Sequence, residues 1–262
     1  MEILIILIVC FFSSVVGAIC GIGGGVIIKP VLDATGIMEV ATASFLSGCT
    51  VLSMSAVSFY KNIRSGKNLH FDKIFAFTLT IGSVLGGMSG KIVFQKIIEV
   101  LEDKNAIGAI QATVLLIITV GTLIYSLNKG RIATKTVESR SVIFVIGFML
   151  GIMSSFLGIG GGPINLIVLY YFFSMETKTA ALYSIFIILF SQVSSLASTI
   201  ISGKIPEFSG EILILMVGCG IFGGVVGSKI NGRITSRTVD KLFLGLIVII
   251  IFVNIYNIIR YT

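Results

Sequence analysis

Apolar residues run almost unbroken along this chain, and polar ones gather in short stretches between the runs. Ten apolar segments result, roughly 3–20, 25–37, 40–60, 74–95 and 106–127 in the first half and 141–157, 162–174, 178–201, 211–230 and 242–260 in the second. Most approach the ~20 residues that an α-helix needs to cross a bilayer. A membrane β-barrel would show short alternating segments instead. The pattern predicts an all-α integral membrane protein of about ten membrane segments. The second segment of each half is short for a crossing and follows a glycine cluster, which predicts a half-helix or a broken, tilted span.

Those glycine clusters are copies of one another. Gly21-Ile22-Gly23-Gly24-Gly25 recurs as Gly158-Ile159-Gly160-Gly161-Gly162, 137 residues later. The same offset, without a gap, carries Met38-Glu39 onto Met175-Glu176 and Thr42-Ala43 onto Thr179-Ala180. It also carries Ser47 onto Ser184, Ser65-Gly66-Lys67 onto Ser202-Gly203-Lys204, and Gly86, Gly87 and Gly90 onto Gly223, Gly224 and Gly227. An internal duplication follows, with 1–127 as the first membrane repeat, 128–140 as a cytoplasmic linker and 141–262 as the second repeat. Five segments per repeat set the two halves in opposite orientations.

Loop charge tests that orientation. If the loop 61–73 is cytoplasmic, alternation puts Lys178 and the stretches 128–141 and 229–241 on the same side. That side then holds thirteen basic residues against five on the other, with Lys29 left inside an apolar run. The excess marks the cytoplasmic face. It places both termini of this multi-pass membrane protein outside the cytoplasm. The first run, Ile3 to Cys20, has no basic leader and continues into the glycine motif, so it reads as a retained helix rather than a secretion signal.

Composition agrees: 55% of residues are hydrophobic and 12% charged, too few charges to cover a water-facing globule. The net charge of +7 sits in short loops and is not a nucleic-acid footprint. His70 is the single histidine, and Cys10, Cys20, Cys49 and Cys219 lack CxxC spacing. No metal site, cofactor or nucleophile–base constellation is expected, and the chain reads as a non-enzyme.

The candidate chemistry lies at the broken helices. Gly23, Gly24, Gly25, Gly160, Gly161 and Gly162 would expose the N–H groups of two half-helix starts, which attract anions. Close helix packing by small residues is the competing explanation. Lys29, beside Pro30, is a basic residue within an apolar segment. It pairs either with an anionic substrate or with Asp33 one turn on, unless it snorkels to the surface. Asn165, an amide within the membrane, either contacts substrate or ties two helices together. Thr42, Ser47, Thr179 and Ser184 are hydroxyls on the third segments able to replace part of an oxyanion's hydration shell; interhelical packing is again the alternative. The fourth-segment glycines read as packing residues. Glu39 and Glu176 read as loop or helix-start residues, with a coupling-proton role as the alternative.

On GIGGGVIIKPVL at 21–32 and GIGGGPINLIVL at 158–169, with the Thr-Ala helices and glycine-rich fourth segments, the chain resembles the TauE/SafE, or sulfite exporter, family along essentially its whole length. The resemblance implies secondary transport of a small anion, such as sulfite, a sulfonate or a related organic acid, across a prokaryotic plasma membrane. The partners are then the anion, the lipid bilayer and a coupling ion, proton or sodium, with no nucleic acid. A cation or neutral-solute carrier, and a membrane sulfur-handling enzyme using a cysteine thiol, are the alternatives.

Overall fold

The computed structural model describes residues 2–64, 72–100 and 104–261, all helical or loop. Ser65, Gly66, Lys67 and His70 lie outside the described residues. The helices are α1 (Glu2–Cys20), α2 (Gly25–Thr35), α3 (Val40–Arg64), α4 (Lys73–Val100), α5 (Lys104–Asn128), α6 (Arg140–Leu157), α7 (Gly162–Phe173), α8 (Thr177–Ile201), α9 (Gly210–Asn231) and α10 (Ser236–Tyr261). Eight of them are long and apolar enough to cross a membrane. The remaining two, α2 and α7, have 11 and 12 residues. At 1.5 Å per residue they reach about 17 Å, little more than half of a hydrocarbon core.

Most boundaries follow the apolar runs, but several helices outrun them. Helix α10 starts at Ser236, six residues before its apolar segment, and its first turns carry Arg237, Asp240 and Lys241. Thr235 Oγ1 accepts the Thr238 N–H at 3.3 Å and so fastens that start. Helix α3 likewise runs on to Lys61 and Arg64 in its last turn, where cations face the negative end of the helix dipole.

Packing partners exchange under the offset of 137. Helix α4 packs most extensively on α6, and their equivalents α9 and α1 pack on each other. The same exchange relates α4–α8 to α9–α3 and α2–α10 to α7–α5, while α3–α8, α5–α10 and α2–α7 pair with their own equivalents. Glycines make the closest of these contacts. A Cβ built on Gly90 would overlap Ile152, and one on Gly227 would overlap Val15, the residue equivalent to Ile152. Gly86, Gly147 and Gly151 leave room in the same way along the α4–α6 seam. Between apolar helices in lipid no hydrophobic force pulls helices together, so close backbone approach and dispersion do it.

Loops collect at two ends of the bundle. At one end the Asp72 N–H donates to Tyr183 Oη at 2.6 Å, and Thr177 Oγ1 donates to Asp240 at 2.9 Å. Lys178 reaches the carbonyl of Asn231 there, and Lys135 N–H reaches the carbonyl of Tyr171. At the other end Thr42 donates to the Glu207 carbonyl at 3.0 Å and Arg260 to the Asp33 carbonyl at 2.9 Å. Most of the basic loop residues lie at the first end.

Candidate functional site

The two glycine loops meet at the centre of the bundle. Helix α1 ends at Cys20, and the chain doubles back so that Gly24 lies against the backbone of Ser13 and Ser14. Gly21 and Gly23 have φ of +77° and +69°, a conformation that residues with a Cβ adopt only at a cost. The second loop repeats this at Gly158 and Gly160, at +66° and +81°, but departs at Gly161, whose φ is +86° where the equivalent Gly24 has −61°. A Cβ built on Gly25 would stand 2.7 Å from the Ile159 carbonyl oxygen, and one on Gly162 would stand 2.7 Å from that of Ile22. These two contacts are the same contact under the offset of 137. Gly23 and Gly160 both border Val51 and Ile188, an equivalent pair from α3 and α8. The centre is therefore two bare backbone turns held against a small apolar wedge.

Neither half-helix start is capped by a side chain: Gly24 is the N-cap of α2 and Gly161 that of α7. The first-turn N–H groups of both helices thus have no side-chain acceptor, inside the protein rather than at its surface. Pro163 fits the first turn of α7, where no donor is lost. Pro30 sits inside α2 and deprives the Val26 carbonyl of its intrahelical donor.

Around these turns lie buried polar atoms without partners among the described residues. Asn165 is fully buried, and neither its Oδ1 nor its Nδ2 has a hydrogen-bond partner. Its amide lies back over the start of its own helix, about where a Cβ on Gly161 would point, at 2.9 Å from Oδ1. Ser47 and Ser184, equivalent and both fully buried, also carry unpartnered hydroxyls. Leaving such groups unpaired costs about 1–3 kcal/mol each, which is why orphaned atoms point to a missing partner.

The other sequence candidates sit differently. Lys29 is buried and ion-paired to Asp33 at 2.6 Å, so it does not snorkel. Thr42 is spent on the Glu207 carbonyl at the edge of the bundle, and its equivalent Thr179 is half-buried. Glu39 and Glu176 are exposed at helix starts, where their carbonyls accept from Ala43 and Ala180. The four cysteines are free thiols; Cys10 and Cys20 are buried in apolar packing. No group of three or more potential metal ligands occurs among the described residues.

Two cavities were not foreseen from the sequence. One of about 800 Å³ is lined by Met38, Glu39, Thr42, Lys91, Lys204 and Glu207, among others, at the end that holds Arg260. The second, about 530 Å³, lies at the basic end against Met175, Glu176, Thr177, Tyr170 and Lys129. Equivalent Met-Glu pairs thus line cavities at opposite ends. Lys129 Nζ stacks 3.6 Å from the Tyr170 ring centroid and 3.9 Å from Asp240. Burial pushes the Lys129 amine below the ordinary lysine value, and Asp240 partly opposes that. The signal for this corner was present as four scattered polar residues, but nothing in their spacing brings 129, 170, 177 and 240 together.

Eight helices able to span a membrane and two half-helices define a multi-pass helical membrane protein. The chain belongs to the TauE/SafE sulfite exporter family, whose model matches residues 6–253. It is similar to the probable membrane transporter protein YunE of Bacillus subtilis (strain 168), with 24% identity over 270 residues covering 95% of this chain and 96% of that one. No solved structure matches it.

Proposed function

We propose that the protein is a secondary transporter that moves a small anion, of the sulfite or sulfonate type, across the plasma membrane by alternating access. The observation that carries this reading is the meeting of two uncapped half-helix starts beside the orphaned amide of Asn165 and the hydroxyls of Ser47 and Ser184. Donors aimed at a dry interior suit an anion better than a cation. Gly23–Gly25 and Gly160–Gly162 supply backbone N–H groups and close approach, and the three polar side chains complete the shell. The chemistry asked of these residues is dehydration and recognition.

Cavities at the two ends, lined by equivalent Met-Glu pairs and separated by the glycine turns, support two oppositely inserted halves that rock about the centre. The basic end is the cytoplasmic one on charge grounds, with both termini outside. Flux of radiolabelled sulfite or a sulfonate into proteoliposomes tests the reading. It should saturate, and fall sharply in folded Gly24→Leu and Gly161→Leu variants. Undiminished flux in those variants removes the glycine turns from the site. Flux that survives replacement of all four cysteines excludes the thiol-enzyme alternative.

A further inference from the structure

Three positions on one side of the centre differ in polarity from their equivalents: an amine, a carboxylate and a hydroxyl stand where the other half has an aliphatic chain, a phenol and a methyl group. Lys29, Asp33 and Ser44 correspond, through the offset of 137, to Leu166, Tyr170 and Ala181. The fold gathers these three. Lys29 Nζ donates to Asp33 Oδ2 at 2.6 Å, with the two side chains 4% and 6% exposed. Ser44 Oγ and the Lys29 methylenes both border Gly158, where a built Cβ would lie 2.9 Å from the former and 3.7 Å from Lys29 Cδ. At the equivalent Gly21 the neighbour is Ala181.

Two buried atoms of this cluster, Asp33 Oδ1 and Ser44 Oγ, have no hydrogen-bond partner among the described residues. The nearby guanidinium of Arg260 does not serve the Asp33 carboxylate, since it donates to the main-chain carbonyls of Asp33 and Ala34. Lys29 is thus the cation that balances Asp33. A buried pair with spare donors on one partner and a spare acceptor on the other is poised to change partners.

The titratable groups facing this corner are few. Helix α1 presents Cys10, packed with Ile28 and Leu32, and carries Glu2 exposed at its start. Helix α3 presents Cys49, with exposed Glu39 before it. Helix α10 presents Arg260 and Tyr261. Helix α7 offers only Tyr170 and Tyr171, near its far end. Among the described residues, Asp33 is the one buried carboxylate of the corner.

We propose that Asp33 is the coupling-proton site of the transporter and that Lys29 is handed from Asp33 to the anion as the proton arrives. The proposal rests on the transport reading above. In the resting cluster an N–H of Lys29 bonds Asp33 Oδ2, and the charges cancel. A singly charged oxyanion accepts that N–H in its place. The freed carboxylate takes one proton from the aqueous side, forming an O–H on Asp33. Ammonium, neutral acid and anion again sum to zero, so the interior never holds an unbalanced charge, as its low dielectric demands. Ser44 Oγ supplies a further donor beside the incoming anion. The occupied carrier moves one anion with one proton, electroneutrally. The second repeat has no equivalent site.

Isothermal titration of the purified, detergent-solubilised protein with methanesulfonate and isethionate, in Tris and in imidazole at neutral pH, reads proton uptake from the difference in heat. The wild type should take up about one proton per anion bound. Asp33→Asn should still bind but take up none, and Asp33→Glu should restore uptake. Lys29→Gln should weaken binding by about tenfold or more. Sulfonate binding without proton uptake in the wild type, or full uptake in Asp33→Asn, overturns the assignment and leaves the transport reading intact. Absence of any sulfonate binding by the wild type brings down both. Should Asp33→Asn fail to fold, the wild-type stoichiometry and Asp33→Glu still decide.

Discussion

Gly25 faces the carbonyl oxygen of Ile159 so closely that a Cβ on it would stand 2.7 Å away, a contact reproduced by Gly162 and Ile22. Real Cβ atoms do not come that near an oxygen, and the atom they would meet is main chain that cannot swing aside. Gly25→Ala and Gly162→Ala should each destabilise the folded protein by about 1–3 kcal/mol. Gly121→Ala, with open space around its Cβ, should be neutral or slightly stabilising through helix propensity. Thermal melting in detergent compares the three.

The α4–α6 seam makes a second prediction. Gly86 lies on the Phe148 carbonyl and Gly151 on that of Ser83. Gly86→Leu should force the helices apart and abolish assembly, read as loss of a monodisperse peak in size-exclusion chromatography. Gly218→Leu, which has nothing within 4 Å, should assemble normally.

Removing one member of a buried ion pair strands the other. Lys29→Met should cost about 3–5 kcal/mol, since it leaves the Asp33 carboxylate without its cation. The double replacement Lys29→Met with Asp33→Leu should be more stable than Lys29→Met alone. A double-mutant cycle of melting temperatures measures the coupling. Additive effects would show that the pair is not formed in the membrane protein.

Lys129 gives a pH dependence with a definite sign. Its folded-state pKa is lowered by burial, so between that value and the ordinary lysine value the unfolded chain binds more protons than the folded one. Its unfavourable contribution is fully present below the folded pKa and fades as pH rises toward the unfolded one. Stability should therefore gain on going from neutral to alkaline pH, and Lys129→Gln should flatten that gain. A wild-type melting curve that falls at least as steeply as that of Lys129→Gln over the same range contradicts it.

Much of the architecture was legible because bilayer length and turn chemistry act locally. The apolar runs located all ten helices of the described residues, and the glycine triplets located the starts of α2 and α7 to the residue. Polar helix extensions such as Ser236–Lys241 were not legible, since hydropathy marks the lipid-facing length and not the helix. At the candidate site Asn165, Ser47 and Ser184 are buried with unpartnered polar atoms, while Thr42 donates to a loop carbonyl. Val51 and Ile188 were missed because an aliphatic residue among aliphatic residues carries no signal. Their place is visible only once the two turns are brought against them.

That shared placement has a mechanical consequence. Gly23 and Gly160 rest on the same two side chains, Val51 and Ile188, so one wedge serves as the stop for both turns. If the two halves rock as proposed, a tilt that lifts the wedge from the first turn would drive it into the second. Opening toward one compartment would then be geometrically tied to sealing against the other, as in a rocker valve with a single tongue, and a through-leak would need the wedge itself to be trimmed.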